Sequence, residues 1–265
     1  MATPPLSIVV PYTDIRTSRL LFLLLRQCQQ QKVNDAEIVV INTTGRSLSD
    51  SHGLQEQPAW LSDIVEVHGP GGLTPAATRN LGIRAAAGDY VCCLDYDDYL
   101  HADRLFAQLA ACWRHGKPSV LRGQVLLDIS ASTRATIDAT QAVQVNAFLR
   151  ESDTGVPATV MFPRLNAAGA VWQFDITLEY NEYAELCARL AASYGPLTAV
   201  DNIRSGNANP QTHGWHFLST ALYHGHNLSA ATEFFRDATP IDISRQPAFA
   251  ACLSSLLRLY GFQVA

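Results

Sequence analysis

The chain has 265 residues, 48% of them hydrophobic, enough to bury a full core and suited to one large α/β domain, or to one domain with a helical appendage. Lys and Arg total 19 against 24 Asp and Glu, for a net charge of −5. That balance leaves no basic patch able to hold a nucleic-acid backbone and excludes nucleic acid as a partner.

Met1 to Ser7 carries no positive n-region, and the apolar run after it soon meets Asp14 and Arg16, so no signal peptide is read there. Leu6 to Pro11 is a β-branched run closed by proline and predicts a first buried strand. The polar loop Tyr12 to Arg16 follows, and Ser18 to Gln31 predicts a helix with Leu20, Leu21, Leu24 and Leu25 on one face. Leu20 to Leu25 is bounded by Arg19 and Arg26 and falls far short of a membrane span. Glu37 to Ile41 predicts a second strand ending in the turn Asn42-Thr-Thr-Gly45. Two readings of that turn stand: its side chains meet a ligand, or they satisfy one another.

Ile64 to Val67 predicts a third strand. His68-Gly-Pro-Gly-Gly-Leu-Thr-Pro75 is a glycine-rich loop feeding an alanine-rich helix, with Thr74 as N-cap and Pro75 at the first helical position. Such a loop suits anions, because backbone N–H groups and the helix dipole point at the ligand. It is neither a P-loop nor a Gly-x-Gly-x-x-Gly fingerprint. Tyr90 to Leu94 predicts an interior parallel strand running into Asp95, Asp97 and Asp98. Three carboxylates in four residues repel one another, and a divalent cation is the simplest compensation. The other reading is a solvated turn capping a helix that begins near Ala102.

Strands alternating with helices imply a mostly parallel sheet whose ligands lie outside the strands' carboxyl ends. Pro11 to Asp14, Asn42 to Gly45, the glycine loop and Asp95 to Asp98 then share one edge, which favours a site over a cap. The six cysteines, Cys28, Cys92, Cys93, Cys112, Cys187 and Cys252, show no Cys-x-x-Cys spacing and predict reduced, mostly buried thiols of a cytoplasmic protein. In a strand, Cys92 and Cys93 would point to opposite faces.

The blocks Ser7-Ile-Val-Val-Pro-Tyr12, Glu37-Ile-Val-Val-Ile-Asn42 and above all Ala77-Thr-Arg-Asn-Leu-Gly-Ile-Arg-Ala-Ala-Ala-Gly-Asp-Tyr-Val-Cys-Cys-Leu-Asp-Tyr-Asp-Asp98 resemble the family 2 glycosyltransferases. The resemblance implies a GT-A, Rossmann-like α/β fold: a mostly parallel sheet flanked by helices, with a C-terminal helical segment. It implies a nucleotide-sugar donor across the strand ends, touching Pro11, Tyr12, Asp14, Asn42, Thr43, Arg79, Asp95 and Tyr96. The diphosphate would bind Mn²⁺ or Mg²⁺ through Asp97 and Asp95. Asn80 is read as structural. The family's Asp pair at the end of the second strand is replaced by Asn42-Thr43, which leaves the base open among UDP, GDP and dTDP donors.

Pro118 to Leu127 predicts a strand, Asp138 to Arg150 a helix or helix-like connection, and Ala158 to Arg164 resembles the family's acceptor-side strand. The Glu-Asp pair that inverting members carry seven residues before a matching arginine falls, counting from Arg189, on Glu182 and Tyr183. Tyrosine is a poor base at neutral pH. Glu182 is therefore the expected catalytic base, with Glu179 or Glu185 as substitutes on one helix face. Thr198 to Asn207 resembles the strand and loop closing the catalytic domain, with Arg204 matching and Gly206 where a histidine is common. His213, His216, His224 and His226 read as surface or core histidines.

Residues 1–210 are expected to form the GT-A domain and 211–265 a helical extension, with helices at Trp215 to His224 and Gln246 to Tyr260, packed on the domain or joining two copies in a homodimer. The reading is an inverting enzyme transferring sugar from a metal-bound donor to a hydroxyl-bearing glycan or lipid-linked acceptor, at the inner membrane face if the acceptor is lipid-linked. The alternative is a catalytically impaired nucleotide-sugar binding or scaffold module.

Overall fold

A computed structural model describes residues 3–15, 18–50, 59–101, 103–128, 142–143, 146–178, 180–201, 219–223, 237–241 and 263–264. The first half follows the expected alternation. β1 (Leu6–Tyr12) is buried along its whole length and leads into α1 (Ser18–Gln29). β2 (Glu37–Asn42) and β3 (Ile64–His68) follow, then α2 (Pro75–Ala85) and β4 (Tyr90–Cys93). α2 starts as its sequence requires: Thr74 is the N-cap, its hydroxyl accepts from Ala77 N, and proline occupies the first helical position.

β5 (Asp98–Leu100), α3 (Arg104–His115), β6 (Ser119–Asp128), β7 (Ala142–Val143) and β8 (Asn146–Pro163) come next. α4 (Glu182–Tyr194), β9 (Thr198–Val200), β10 (Ser219–Tyr223), β11 (Ala238–Ile241) and β12 (Gln263–Val264) complete the order. The main sheet runs β3-β2-β1-β4-β8-β6-β10-β5, with β11 added to β8 and β9 to β6. β3, β2, β1 and β4 are parallel, whereas β8 runs antiparallel to both β4 and β6.

Strand alternation sorts the side chains into two cores. Ile8, Val10 and Cys92 pack with Leu21, Leu24 and Leu25 of α1 and Leu105 and Leu109 of α3. Val9, Val39, Ile41 and Cys93 pack with Ile83 of α2 and Leu186 and Leu190 of α4 on the other face. Cys92 and Cys93 thus point to opposite faces. Cys28, Cys92, Cys93 and Cys112 are free and buried, and Cys187 is free and half-buried. α2 lies close on the sheet at Gly82, where an added Cβ would stand 2.3 Å from Val9 Cγ1.

Two expected helices are strands instead. Residues expected as a helix over Asp138 to Arg150 contain β7 and the start of β8, because Asn146 to Glu151 finds a long partner in β6, from Asp128 to Gly123. The helix expected over Trp215 to His224 contains β10, which pairs in parallel with Val125 to Asp128 of β6 and antiparallel with β5. Arg204, Gly206, the four histidines beyond it, Cys252, Glu179 and the helix expected at Gln246 to Tyr260 lie outside the described residues. Among the described residues, no helix is long and apolar enough to cross a membrane.

Candidate active site

The carboxyl ends of the parallel strands are knitted together beyond the strands themselves. Thr43 N donates to Tyr12 O (3.0 Å), Gly69 N to Asn42 O (3.0 Å) and Leu94 N to Val9 O (2.9 Å). These bonds bring the loops after β1, β2, β3 and β4 to one edge, as the alternation predicts. Pro11 and Tyr12 are buried, and Asp14 is half-buried on the loop after β1. The ring of Tyr12 meets Tyr96 edge-on, with centroids 6.5 Å apart.

Asp95 to Asp98 is a tight turn closed by Asp98 N donating to Asp95 O (2.9 Å), and Asp98 opens β5. It does not cap α3, whose N-cap is Asp103. Asp95 keeps 44% of its side chain exposed, while Asp97 and Asp98 are buried. Burial, and then Asp95 and Asp97, push the Asp98 carboxyl well above the usual range, with Arg104 opposing. Arg104 is wholly buried, and burial lowers it even though Asp98 raises it.

Asp95, Asp97 and Asp98 on one turn are oxygen donors of the kind a hard divalent cation takes, and added positive charge would ease the mutual repulsion that, after burial, raises Asp98. No group of three or more His, Cys, Asp or Glu side chains among the described residues could hold a metal alone. Two carboxylates completed by substrate oxygens are the usual binding mode of such ions.

Arg79, on α2, joins this turn to the start of α4. Its Nη2 donates to Asp95 Oδ1 and its Nη1 to Glu182 Oε1, both at 2.7 Å. The arginine is 5% exposed, and its guanidinium carbon lies 4.6 Å from the Tyr183 ring centroid and 5.7 Å from that of Phe174. Burial alone would lower Arg79, but Asp95, Tyr183 and Glu182 outweigh it and hold the guanidinium well above its ordinary value. Tyr183 is buried, and burial raises its hydroxyl well above the ordinary range against the pull of Arg79. It packs edge-on against Phe174 at 5.0 Å. Its position is that of a packing residue, which agrees with its poor chemistry as a base.

The acidic face of α4 is divided. Glu185 takes both its bonds from Arg189, which also donates to Gln173 O (2.6 Å). Glu182, half-buried, is the α4 carboxylate that reaches the Asp95 side. Asn80 fixes the loop before α4: its Nδ2 donates to Phe174 O (2.8 Å), and Phe174 N donates to its Oδ1 (2.7 Å).

At the end of β2, Asn42 is 1% exposed and its amide is committed within the fold. Nδ2 donates to Arg46 O (2.7 Å) and Glu66 Oε1 (2.6 Å), and Oδ1 accepts from Thr44 N (3.0 Å) and Thr44 Oγ1 (2.8 Å). Of the two readings of this turn, the bonds drawn are the internal ones. Glu66 also accepts from Leu48 N (3.0 Å). Glu66 and Arg104 were not legible as members of this edge. A lone carboxylate within the short β3 run was the only signal for Glu66, and Arg104 gave none.

A doubly wound sheet with an acidic turn at the end of its fourth strand is the architecture of a GT-A-type domain. Residues 7–133, just under half of the chain, match the family model described as Glycosyl transferase family 2. A search of curated proteins gave no match.

Among solved structures, TarS 1-349 from S. aureus aligns at 16% identity and TM-score 0.52, over 82% of this chain and 60% of TarS 1-349. Its complex with UDP gives 14% identity and TM-score 0.53, over 87% and 62%. Its complex with UDP-GlcNAc gives 14% and TM-score 0.54, over 97% and 73%. These likenesses establish the fold. In the first two alignments the chain spans less than two thirds of the TarS fragment's length.

Proposed function

We propose that the chain is an inverting glycosyltransferase that moves a sugar from a nucleoside diphosphate donor to a hydroxyl acceptor in glycan or glycoconjugate synthesis. The observation that carries this reading is the double ion pair of Arg79, which sets a donor-side carboxylate, Asp95, and an acceptor-side carboxylate, Glu182, on one guanidinium. The UDP and UDP-GlcNAc complexes of TarS support a uridine nucleotide as the donor to try first.

In the transfer, the acceptor oxygen forms a bond to the anomeric carbon as the bond from that carbon to the diphosphate breaks. The electron pair leaves with the diphosphate, and the acceptor proton passes to Glu182. Inversion follows from the single displacement. Asp97 and Asp95 would hold Mn²⁺ or Mg²⁺, which when bound neutralises charge on the departing diphosphate. Asp14, Thr43 and Tyr96, above the buried strand end at Pro11 and Tyr12, line the edge where the nucleoside would lie. With the Asn42 amide engaged internally, Thr43 and the backbone around it are better placed to meet the base.

Calorimetry with UDP, GDP and dTDP, with and without Mn²⁺, should give metal-dependent binding of at least one, and a screen of nucleotide sugars should give donor hydrolysis or transfer. Glu182→Gln should lower turnover by about 100-fold or more while nucleotide affinity stays within about 3-fold. Binding without turnover would favour the scaffold reading, for which the tyrosine at the usual base position speaks. No nucleotide binding would remove the donor site altogether.

A further inference from the structure

We propose that Arg79 is a positioning residue for the acceptor-side carboxylate, clamped by the ring of Tyr183, and not a contact of the donor. This deepens the transferase reading and rests on it. Two separate nitrogens of one planar group address carboxylates on two different elements, Asp95 after β4 and Glu182 at the start of α4, each at 2.7 Å. Only a guanidinium offers that fork; a lysine ammonium would serve one of them as a point charge.

The surroundings restrict the group to this pose. Tyr183 lies 4.6 Å beneath the guanidinium carbon and Phe174 5.7 Å away, and Phe174 is itself held by Asn80 through both backbone groups. Arg79 Nε is buried without a hydrogen-bond partner, so the pose satisfies the two terminal nitrogens at the expense of the third. Both terminal nitrogens face protein carboxylates and the side chain is 6% exposed, which leaves little of the group to meet a diphosphate.

For Glu182 the consequence is orientation. Oε1 is taken by Arg79, which leaves Oε2 for the acceptor proton. For Tyr183 the consequence is a role. At the position where the family resemblance places a second carboxylate, this chain has a ring that supports the guanidinium serving the first.

The test compares wild type, Arg79→Met and Arg79→Lys in Mn²⁺-dependent UDP, GDP and dTDP calorimetry and in steady-state kinetics with the nucleotide sugar selected by the donor screen. Arg79→Met should lower kcat by about 100-fold, as expected for a misplaced reacting group, while donor KM and nucleotide Kd rise by no more than about 10-fold, the share transmitted through Asp95. Arg79→Lys should recover about 10-fold of that loss, because one of the two contacts survives. Should Arg79→Met fail to fold in a thermal melt, Arg79→Lys and the rescue of Arg79→Ala by millimolar methylguanidinium decide instead, with kcat rising on rescue and KM unchanged. A donor KM that rises while kcat holds would make Arg79 a donor ligand and overturn the proposal. No change in either constant, or no rescue of a folded Arg79→Ala, would reduce it to a packing ion pair and overturn it too. A wild type that binds no nucleotide would remove the transferase reading and this inference together, an outcome distinct from the others.

Discussion

Asn80 acts on the loop before α4 as a neighbouring strand would, giving a donor to Phe174 O and an acceptor to Phe174 N from a side chain that is 2% exposed. Phe174 in turn flanks Arg79 and packs on Tyr183. Asn80→Ala would leave a buried N–H and a buried C=O without partners, at roughly 1–3 kcal/mol each. We expect a loss of about 2–4 kcal/mol in urea unfolding. Asn80→Asp should be worse despite its shape, since a carboxylate cannot donate to Phe174 O and would have to be buried charged; an Asp variant as stable as wild type would refute this account. Asn80 was legible as structural, and the acidic turn as part of the edge where the strand-end loops meet. The partnership of Arg79 with Glu182 was not, because 103 residues separate them. Nothing in local spacing tells which of three acidic residues on one stretch faces an arginine on another helix.

At the scale of elements, the parallel half was readable because each strand carries its burial in its own sequence. β1 and β2 are β-branched runs closed by turn residues, and α2 announces its start with Thr74-Pro75. β8 was not readable as one 18-residue strand, for its burial does not alternate and its ladder depends on β6, β4 and β11. A segment whose hydrogen bonds are supplied by distant partners shows no period of its own. β10 is the same case, a short run that becomes a strand because β6 and β5 offer it two edges. The close seating of α2 makes a further prediction. Gly82→Ala gains about 1 kcal/mol of helix propensity, but its methyl would stand 2.3 Å from Val9 Cγ1 and 3.1 Å from Ile41 Cγ1 in the sheet's centre. Overpacking costs about 1–3 kcal/mol and the 2.3 Å approach puts this site towards the upper end, so the strain wins and a net loss of up to about 2 kcal/mol is expected in urea unfolding. Because Arg79 lies on the same helix, kcat should fall as α2 lifts, even where the protein remains folded. A stabilised Gly82→Ala would show that the sheet yields at Val9.

For the whole molecule, the two cores share a chemical property that neither shows alone. Cys28, Cys92 and Cys112 lie in one and Cys93 in the other, with Cys187 packed against the second. Burial disfavours the thiolate at every one of them: Cys92 and Cys187 are pushed up to about 12, Cys112 to about 11, and Cys28 and Cys93 higher still. In the unfolded chain these thiols ionise near the ordinary value of 9.0. Below that pH both states hold their protons and the thiols add no pH dependence. Above it the unfolded chain releases protons that the native state keeps, so stability falls as pH rises, by about 1.4 kcal/mol per unit for each thiol until the folded value is reached. Five such groups acting together approach the whole stability of an ordinary domain, about 5–15 kcal/mol, within one or two pH units. The urea midpoint should therefore be nearly level from about pH 7 to 8 and drop steeply from about pH 9 to 10.5. Cys92→Ala should flatten that drop by one thiol's share, although it lowers stability at neutral pH through the small cavity it leaves. A midpoint unchanged up to about pH 10.5 would mean that the thiols are solvated in the native state, and the two-core packing would have to be redrawn around them.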